Sequence, residues 1–139
     1  MAQEASEMAG WALPRHGEFV WTEIASGDAD KSQAFLENVF GWKFKGGDAA
    51  PGMDYREFST GGDRPAGGLY QIDPAWFGGN PPPPHIMVYV AVDDVDENAK
   101  LAEELGATVH KKMDVPNVGR MAIIQDPTGA MIATFRMKN

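Results

Sequence analysis

The chain lacks cysteine, and its 139 residues include only 12 lysines and arginines against 20 aspartates and glutamates. Without cysteine there can be no disulfide bond, thiolate metal ligand or cysteine nucleophile, so only oxygen atoms and imidazoles could bind a metal. The net charge of −8 and the lack of any Lys/Arg cluster argue against a nucleic-acid partner. No apolar run approaches the roughly 20 residues that a membrane helix needs. The first residues are not basic and then apolar, as a leader would be. We therefore expect a cytoplasmic protein with no membrane partner.

The two halves of the chain repeat one pattern. Residues 19–24 predict a strand, and a helix capped by Ser26 or Asp28 follows and ends at Gly41. Residues 86–92, Asp94 and a helix ending at Gly106 repeat this arrangement. Three further strands are predicted after each helix, at residues 42–44, 55–59 and 67–72 in the first half and at 108–115, 120–125 and 131–136 in the second. The predicted order is therefore β-α-β-β-β, twice.

About 139 residues suit one compact domain with a real core. We assign residues 1–17 to an N-terminal tail or arm that Trp11 could anchor, and residues 18–136 to a single domain. Module one covers residues 18–72 and module two residues 85–136. Residues 73–84 form a stiff linker, because the four prolines at positions 81–84 cannot join a central strand.

Two further predictions concern the apolar positions of the first helix and two pairs of glycines. The apolar positions of the first helix are Ala34, Phe35, Val39 and Phe40. The pairs at positions 61–62 and 67–68 are interpreted as turn glycines, because neither lies in a phosphate-loop or dinucleotide-binding motif.

Three stretches resemble the vicinal oxygen chelate superfamily, which includes glyoxalase I, the bleomycin-resistance proteins and the extradiol dioxygenases. They are AFLENVFGWKF at residues 34–44, VAVDDV at 90–95 with EELG at 103–106, and QDPTG at 125–129. The resemblance covers residues 18–136. It implies an α+β fold in which two pseudo-symmetric βαβββ modules form a curved mixed β-sheet around a concave cleft, with helices on the convex face. It also implies a homodimer.

The same resemblance implies a divalent metal held by His and Glu on the first and last strands of the modules. This sequence departs from that pattern, with Trp21 and Met87 where the histidines would be and Ala133 where the glutamate would be. The fourth position falls at Gln71 or Leu69. Indole, thioether, methyl and amide groups do not suit a hard cation, so we expect no metal and no other cofactor.

The three histidines offer no replacement ligands by spacing. His16 lies in the tail, His85 enters a strand after the prolines, and His110 lies beside two lysines on an exposed strand. No H-x-x-x-H or H-x-E arrangement occurs.

Strand alternation predicts the lining of the cleft. If Trp21 faces the cleft, Phe19 and Glu23 do so too, whereas Val20 and Ile24 face the helix. In module two, Met87 and Tyr89 point inward together with Met131, Ala133 and Phe135, while Ile86, Val88 and Val90 pack under the helix. The predicted ligand-binding residues are Trp21, Glu23, Gln71, Met87, Tyr89, Arg120, Ala133 and Phe135.

Glu23 and Tyr89 are the candidate catalytic residues. A desolvated Glu23 could accept a proton or hold a ligand cation, or it could be a structural partner of Arg120 or of a tail residue. Tyr89 could fill space and still donate a hydrogen bond.

Two functional classes remain. The first is a protein that binds a small cationic or aromatic molecule without a metal, as the resemblance to the bleomycin-resistance proteins implies. The second is a metal-independent lyase, isomerase or hydroxylase-like enzyme that uses Glu23 and Tyr89 as acid and base. The fold alone cannot distinguish them, since one scaffold hosts both.

Overall fold

The structure of the protein is a computed structural model, which describes residues 14–46 and 52–138. Trp11 and most of the predicted N-terminal arm lie outside these residues. Within them, eight strands and the two long helices follow the predicted order, and a third, four-residue helix lies in the segment predicted to be a stiff linker. The strands are β1 (Phe19–Ser26), β2 (Lys43–Gly46), β3 (Tyr55–Ser59), β4 (Gly67–Gln71), β5 (His85–Ala91), β6 (Thr108–Val115), β7 (Gly119–Gln125) and β8 (Met131–Met137). The helices are α1 (Ala29–Phe40), α2 (Trp76–Gly79) and α3 (Val95–Glu104).

The chain forms two compact units. The first unit is Trp21–Met87, and the second unit consists of residues 14–20 together with residues 88–138. The predicted module boundaries at 18–72 and 85–136 stay predictions.

Strand pairing follows one scheme in both units. In the first unit the strands run β2-β3-β4-β1, with β1 parallel to β4 and β3 antiparallel to both of its neighbours. In the second unit they run β5-β8-β7-β6, with β5 parallel to β8 and β7 antiparallel to both neighbours. The fold is therefore of the predicted α+β class with mixed pairing.

Each long helix begins and ends as its sequence predicts. The side chain of Asp28 accepts a hydrogen bond from the backbone of Lys31 at 3.1 Å, and Asp94 caps α3 in the same way. Gly41 ends α1 in the left-handed conformation with φ 71°. Within the described ranges, no helix has the length and apolar character needed to cross a bilayer.

The buried side of α1 differs from the apolar stripe of its sequence. Ala29 and Leu36 are its buried residues, whereas Phe35, Val39 and Phe40 are each more than half exposed. The apolar positions of the sequence therefore do not coincide with the buried side of α1, because the sheet-facing stripe is narrower than the apolar stripe of the sequence. Phe40 instead contacts Phe35 edge to face and lies against Trp42.

Two further details also differ from the prediction. Ile86 is 65% exposed and does not pack under a helix. Gly67 and Gly68 are not turn residues, because they begin strand β4 and are buried.

Candidate functional site

Polar and aromatic side chains gather on one face of the first unit's sheet. Glu23 of β1 is in register with Gly68 of β4, and Gly68 in turn is in register with Glu57 of β3. Because registered residues and residues two apart share a face, Trp21, Tyr70 and Tyr55 lie on this face as well. We call this set the β1-β3-β4 face, and it comprises Trp21, Glu23, Tyr55, Glu57, Gly68 and Tyr70.

The hydroxyl of Tyr55 links two residues of this face. The indole N–H of Trp21 donates to the Tyr55 oxygen at 2.9 Å, and the Tyr55 hydroxyl donates to Oε2 of Glu23 at 2.9 Å. All three side chains are half-buried. These two hydrogen bonds orient the indole ring and direct the phenol O–H at the carboxylate.

Tyr55 keeps its proton at neutral pH. Burial is the main reason that the pKa of its hydroxyl lies well above its ordinary value, and the negative charge of Glu23 raises it further. Tyr70 behaves similarly, since burial and then the charge of Glu23 raise its pKa to about 12. Both phenols can therefore act as hydrogen-bond donors to a ligand or to the carboxylate, but not as phenolate bases.

Gly68 leaves room for the Tyr55 hydroxyl. A Cβ atom added at Gly68 would lie 2.0 Å from the Tyr55 oxygen, far inside van der Waals contact. Only a residue without a side chain allows the Tyr55 ring to lie across β4 and reach Glu23. The sequence pattern alone does not reveal this role of Gly68, because the register that places Tyr55 over Gly68 depends on the pairing of β3 with β4.

Glu57 forms an ion pair with a lysine on the neighbouring strand. Its Oε2 lies 3.6 Å from Nζ of Lys45 across β2 and β3, and its side chain is mostly buried. The β1-β3-β4 face thus carries two carboxylates among three aromatic rings.

Gln71 and Arg120 lie on the helix side of their sheets. The Gln71 side chain accepts from the backbone N–H of Ala29 at 2.8 Å and donates to the carbonyl of Gly27 at 2.8 Å, so it supports the start of α1. Arg120 binds both carboxylate oxygens of Asp96 on α3 and also Asp114. Neither belongs to the face that carries Glu23, since alternation points Gln71 away from its neighbour Tyr70.

Three of the other residues predicted to line the cleft lie in the second unit. Tyr89 is in register with Ala133, and both share a face with Phe135 in the second unit. Tyr89 is only 7% exposed, and its hydroxyl lies 4.0 Å from the Met121 sulfur. Met87 lies on β5, is the last residue of the first unit and is half-buried.

The side chains suit a divalent metal poorly. No group of three or more His, Asp or Glu side chains converges anywhere in residues 14–46 and 52–138. Trp21 stands at a predicted ligand position, but its indole nitrogen is a hydrogen-bond donor and offers no lone pair to a metal. These residues do not fit the metal that the resemblance implies, and we derive no chemistry through one.

The chain belongs to the Glyoxalase/Bleomycin resistance protein/Dioxygenase superfamily, whose sequence profile matches residues 18–134. Among curated relatives, the putative glyoxylase CFP32 of Mycobacterium tuberculosis is 35% identical over 91% of this chain and 50% of its own length. The anthracycline biosynthesis protein DnrV of Streptomyces peucetius is 33% identical over 86% of this chain and 47% of its own. The chain therefore spans about half the length of these relatives.

Solved structures of this fold are more distant in sequence. Methylmalonyl-CoA epimerase from Mycobacterium tuberculosis has a TM-score of 0.61 at 15% identity, covering 92% of this chain and 93% of its own. A Mn(II)-bound glyoxalase from Novosphingobium aromaticivorans has a TM-score of 0.60 at 22% identity, covering 88% of this chain and 40% of its own. These similarities establish the fold and no more.

Proposed function

We propose that this protein binds a flat aromatic molecule bearing a positive charge, and that the ligand lies against the β1-β3-β4 face without a metal. The main support is the hydrogen-bonded arrangement of Trp21, Tyr55 and Glu23. Indole and phenol rings attract cations through their faces, and a partly desolvated carboxylate adds a charge partner. The overall charge of −8 favours the approach of a cation as well.

The name of the relative DnrV suggests a probe. Its name places it in anthracycline biosynthesis, and an anthracycline such as daunorubicin is a flat polycycle that carries an amino sugar. We therefore propose polycyclic aromatic compounds with an amine as the ligand class. The neutral aglycone of daunorubicin has the same ring system without the amine, so the pair separates charge recognition from stacking.

The test is calorimetric titration of the full chain with daunorubicin and with its aglycone. We expect Glu23→Gln to weaken daunorubicin binding roughly tenfold, about 1.4 kcal/mol, and to leave aglycone binding nearly unchanged. Glu103→Gln makes the same charge change on an exposed position of α3 and should alter neither affinity. Equal losses for both compounds, or no binding of either, would refute the proposal.

Fluorescence attributes the binding to a particular ring. Quenching of tryptophan emission by the aglycone should be reduced in Trp21→Phe, although Trp76, whose ring centroid lies 6.0 Å from that of Tyr70, can still be quenched. The quenching should persist in Trp42→Phe, because Trp42 stacks on Phe58 with ring centroids 4.7 Å apart and Phe58 belongs to the opposite side of β3.

A second candidate function is proton transfer without a metal, and it is favoured by the Tyr55–Glu23 hydrogen bond. In that case Glu23 would accept a proton from the substrate while Tyr55 holds the carboxylate in place. Glu23→Gln would then abolish turnover and leave substrate affinity largely intact, which is the opposite pattern to the binding proposal. Tyr89, the other predicted catalytic residue, stays a candidate whose replacement by Phe tests it in the same assay.

We also propose that two copies of the chain associate. The curated relatives are about twice as long as the matched segment, and a pair of chains would equal that length. Light scattering coupled to gel filtration measures the mass, and a monomer at micromolar concentration would contradict this proposal.

A further inference from the structure

A recess lies between α3 and the strands in the second unit. Its volume is about 350 Å³, and its walls are mostly aliphatic, with Val90, Ala102, Ile124 and Ile132 among them. Protein interiors are packed as densely as organic crystals and contain few voids larger than a water molecule. The recess has the size of a small-molecule site, and it is formed entirely by residues outside the first unit, which carries Glu23.

Thr134 supplies a polar group to this apolar lining. The side chain is only 6% exposed, and within residues 14–46 and 52–138 its Oγ1 is the one buried side-chain oxygen or nitrogen that has no hydrogen-bond partner. A buried hydroxyl without a partner costs about 1 to 3 kcal/mol, and valine would fill the same space without that cost. Because Oγ1 itself has almost no exposed surface, a bound molecule with one hydrogen-bonding group would satisfy this hydroxyl once the Thr134 side chain turns toward the recess.

The rim of the recess disfavours an anionic molecule. Asp126 lines it together with His16, whose Nδ1 accepts from the backbone N–H of Asp93 at 3.0 Å. Hydrogen bonds from Thr128 and then from the backbone of Ala130 hold the pKa of the Asp126 carboxyl below its ordinary value, so it stays charged. Leu105 also lines the recess and is 71% exposed, which extends the apolar surface outward.

From the aliphatic walls, the unpaired Thr134 hydroxyl and the acidic rim, we infer a second binding site in this recess for a small neutral aliphatic alcohol or ketone. The aliphatic part of the ligand packs against α3 and the strands. Its oxygen exchanges a hydrogen bond with Thr134 Oγ1.

The test uses the full chain with octanol as the neutral probe and octanoate as its charged counterpart. Methyl NMR spectra should show saturable shifts at Ile124 and Ile132 with octanol and much weaker shifts with octanoate. Thr134→Val should weaken octanol binding roughly three- to tenfold, the loss of one neutral hydrogen bond. Thr108→Val makes the same change on an exposed strand position and should have no effect.

A second variant keeps the test decisive if Thr134→Val perturbs the fold. Ala102→Leu places a larger side chain in the recess and should abolish the octanol shifts in a protein whose melting temperature is unchanged or raised. Unsaturable shifts, equal responses to octanol and octanoate, or full octanol affinity in Thr134→Val would each overturn the inference. Daunorubicin titration of the same variants separates this site from the proposed function, since that binding should be unaffected.

Discussion

The hydroxyl of Tyr55 donates a hydrogen bond to Oε2 of Glu23 across 2.9 Å, although the two residues are 32 positions apart in the chain. The parallel pairing of β1 with β4 and the antiparallel pairing of β4 with β3 bring them together. The carboxylate thus has a fixed direction before any ligand arrives. Such preorganisation reduces the entropy that binding must overcome.

Replacing Tyr55 with Phe removes the hydroxyl that connects Trp21 to Glu23. Trp21 loses the acceptor of its indole N–H, and Glu23 loses one donor. We expect the free energy of unfolding to fall by about 1 to 2 kcal/mol, measured by urea denaturation. Tryptophan emission should also shift, because the indole gains rotational freedom. An unchanged spectrum and stability would contradict the described contact.

Gly68→Ala tests the same hydrogen bonds by adding a methyl group to β4 beneath the Tyr55 ring. The new Cβ would lie 2.0 Å from the Tyr55 oxygen, so the ring must move away from Glu23. We expect a loss of about 1 to 3 kcal/mol in stability and weaker daunorubicin binding. Gly62→Ala is the matched control, because a Cβ there meets nothing within 4 Å. Equal stabilities of the two variants would count against a role for Gly68.

Tyr70 gives a prediction about pH. Its pKa is raised from 10.0 to about 12 in the folded protein, so between these values the native state holds a proton that the unfolded chain has lost. The free energy of unfolding therefore falls as the pH rises from about 10 to 12. Tyr70→Phe should reduce that fall, as denaturation at several pH values would reveal.

The same titration reports on Glu23. Its negative charge is the second cause of the Tyr70 shift, so Glu23→Gln should move the Tyr70 pKa back toward 10, followed by the ultraviolet absorbance of the phenolate. Glu103→Gln serves again as the control with equal charge change. A Tyr70 pKa that is identical in both variants would show that Glu23 does not act on this phenol.

Local patterns in the sequence were sufficient to predict most of the fold. Alternation identified the strands, and the capping role of Asp28 and the helix end at Gly41 agree with the prediction. The stripe of Phe35, Val39 and Phe40 does not mark the buried side of α1, because apolar periodicity does not specify how wide a surface the sheet offers to the helix.

The candidate site depended on strand register, which local patterns do not reveal. Trp21 and Glu23 were placed on one face by their spacing alone, but their connection through Tyr55 requires the order β3-β4-β1. Gln71 was chosen by analogy with a ligand position, and a shift of one residue from Tyr70 puts it on the other side of the sheet. Arg120 is predicted as a ligand-binding residue or as the partner of Glu23, but its guanidinium pairs with Asp96 on α3 instead.

Gln71→Leu distinguishes a structural role of Gln71 from a role in ligand binding. The amide of Gln71 bonds the backbone at Ala29 and Gly27, at the start of α1, so its loss should lower the free energy of unfolding by about 1 to 3 kcal/mol. Daunorubicin affinity of the folded variant should equal that of the wild-type protein. A large loss of affinity with unchanged stability would instead support the original prediction that Gln71 binds the ligand.

We expect divalent metal ions not to stabilise this protein. A ligand that binds only the native state at 100 times its Kd stabilises a protein by about 2.7 kcal/mol, which corresponds to several degrees of melting temperature in a domain of this size. Since Trp21 contributes only a donor and the described side chains form no cluster of three metal-binding groups, we expect no such shift with Mn(II), Fe(II), Ni(II) or Zn(II). Elemental analysis of protein purified without chelators or affinity metal should likewise find no stoichiometric metal. A stoichiometric metal that survives in Glu23→Gln but is lost in His85→Ala would locate a relocated site and make metal chemistry the leading function.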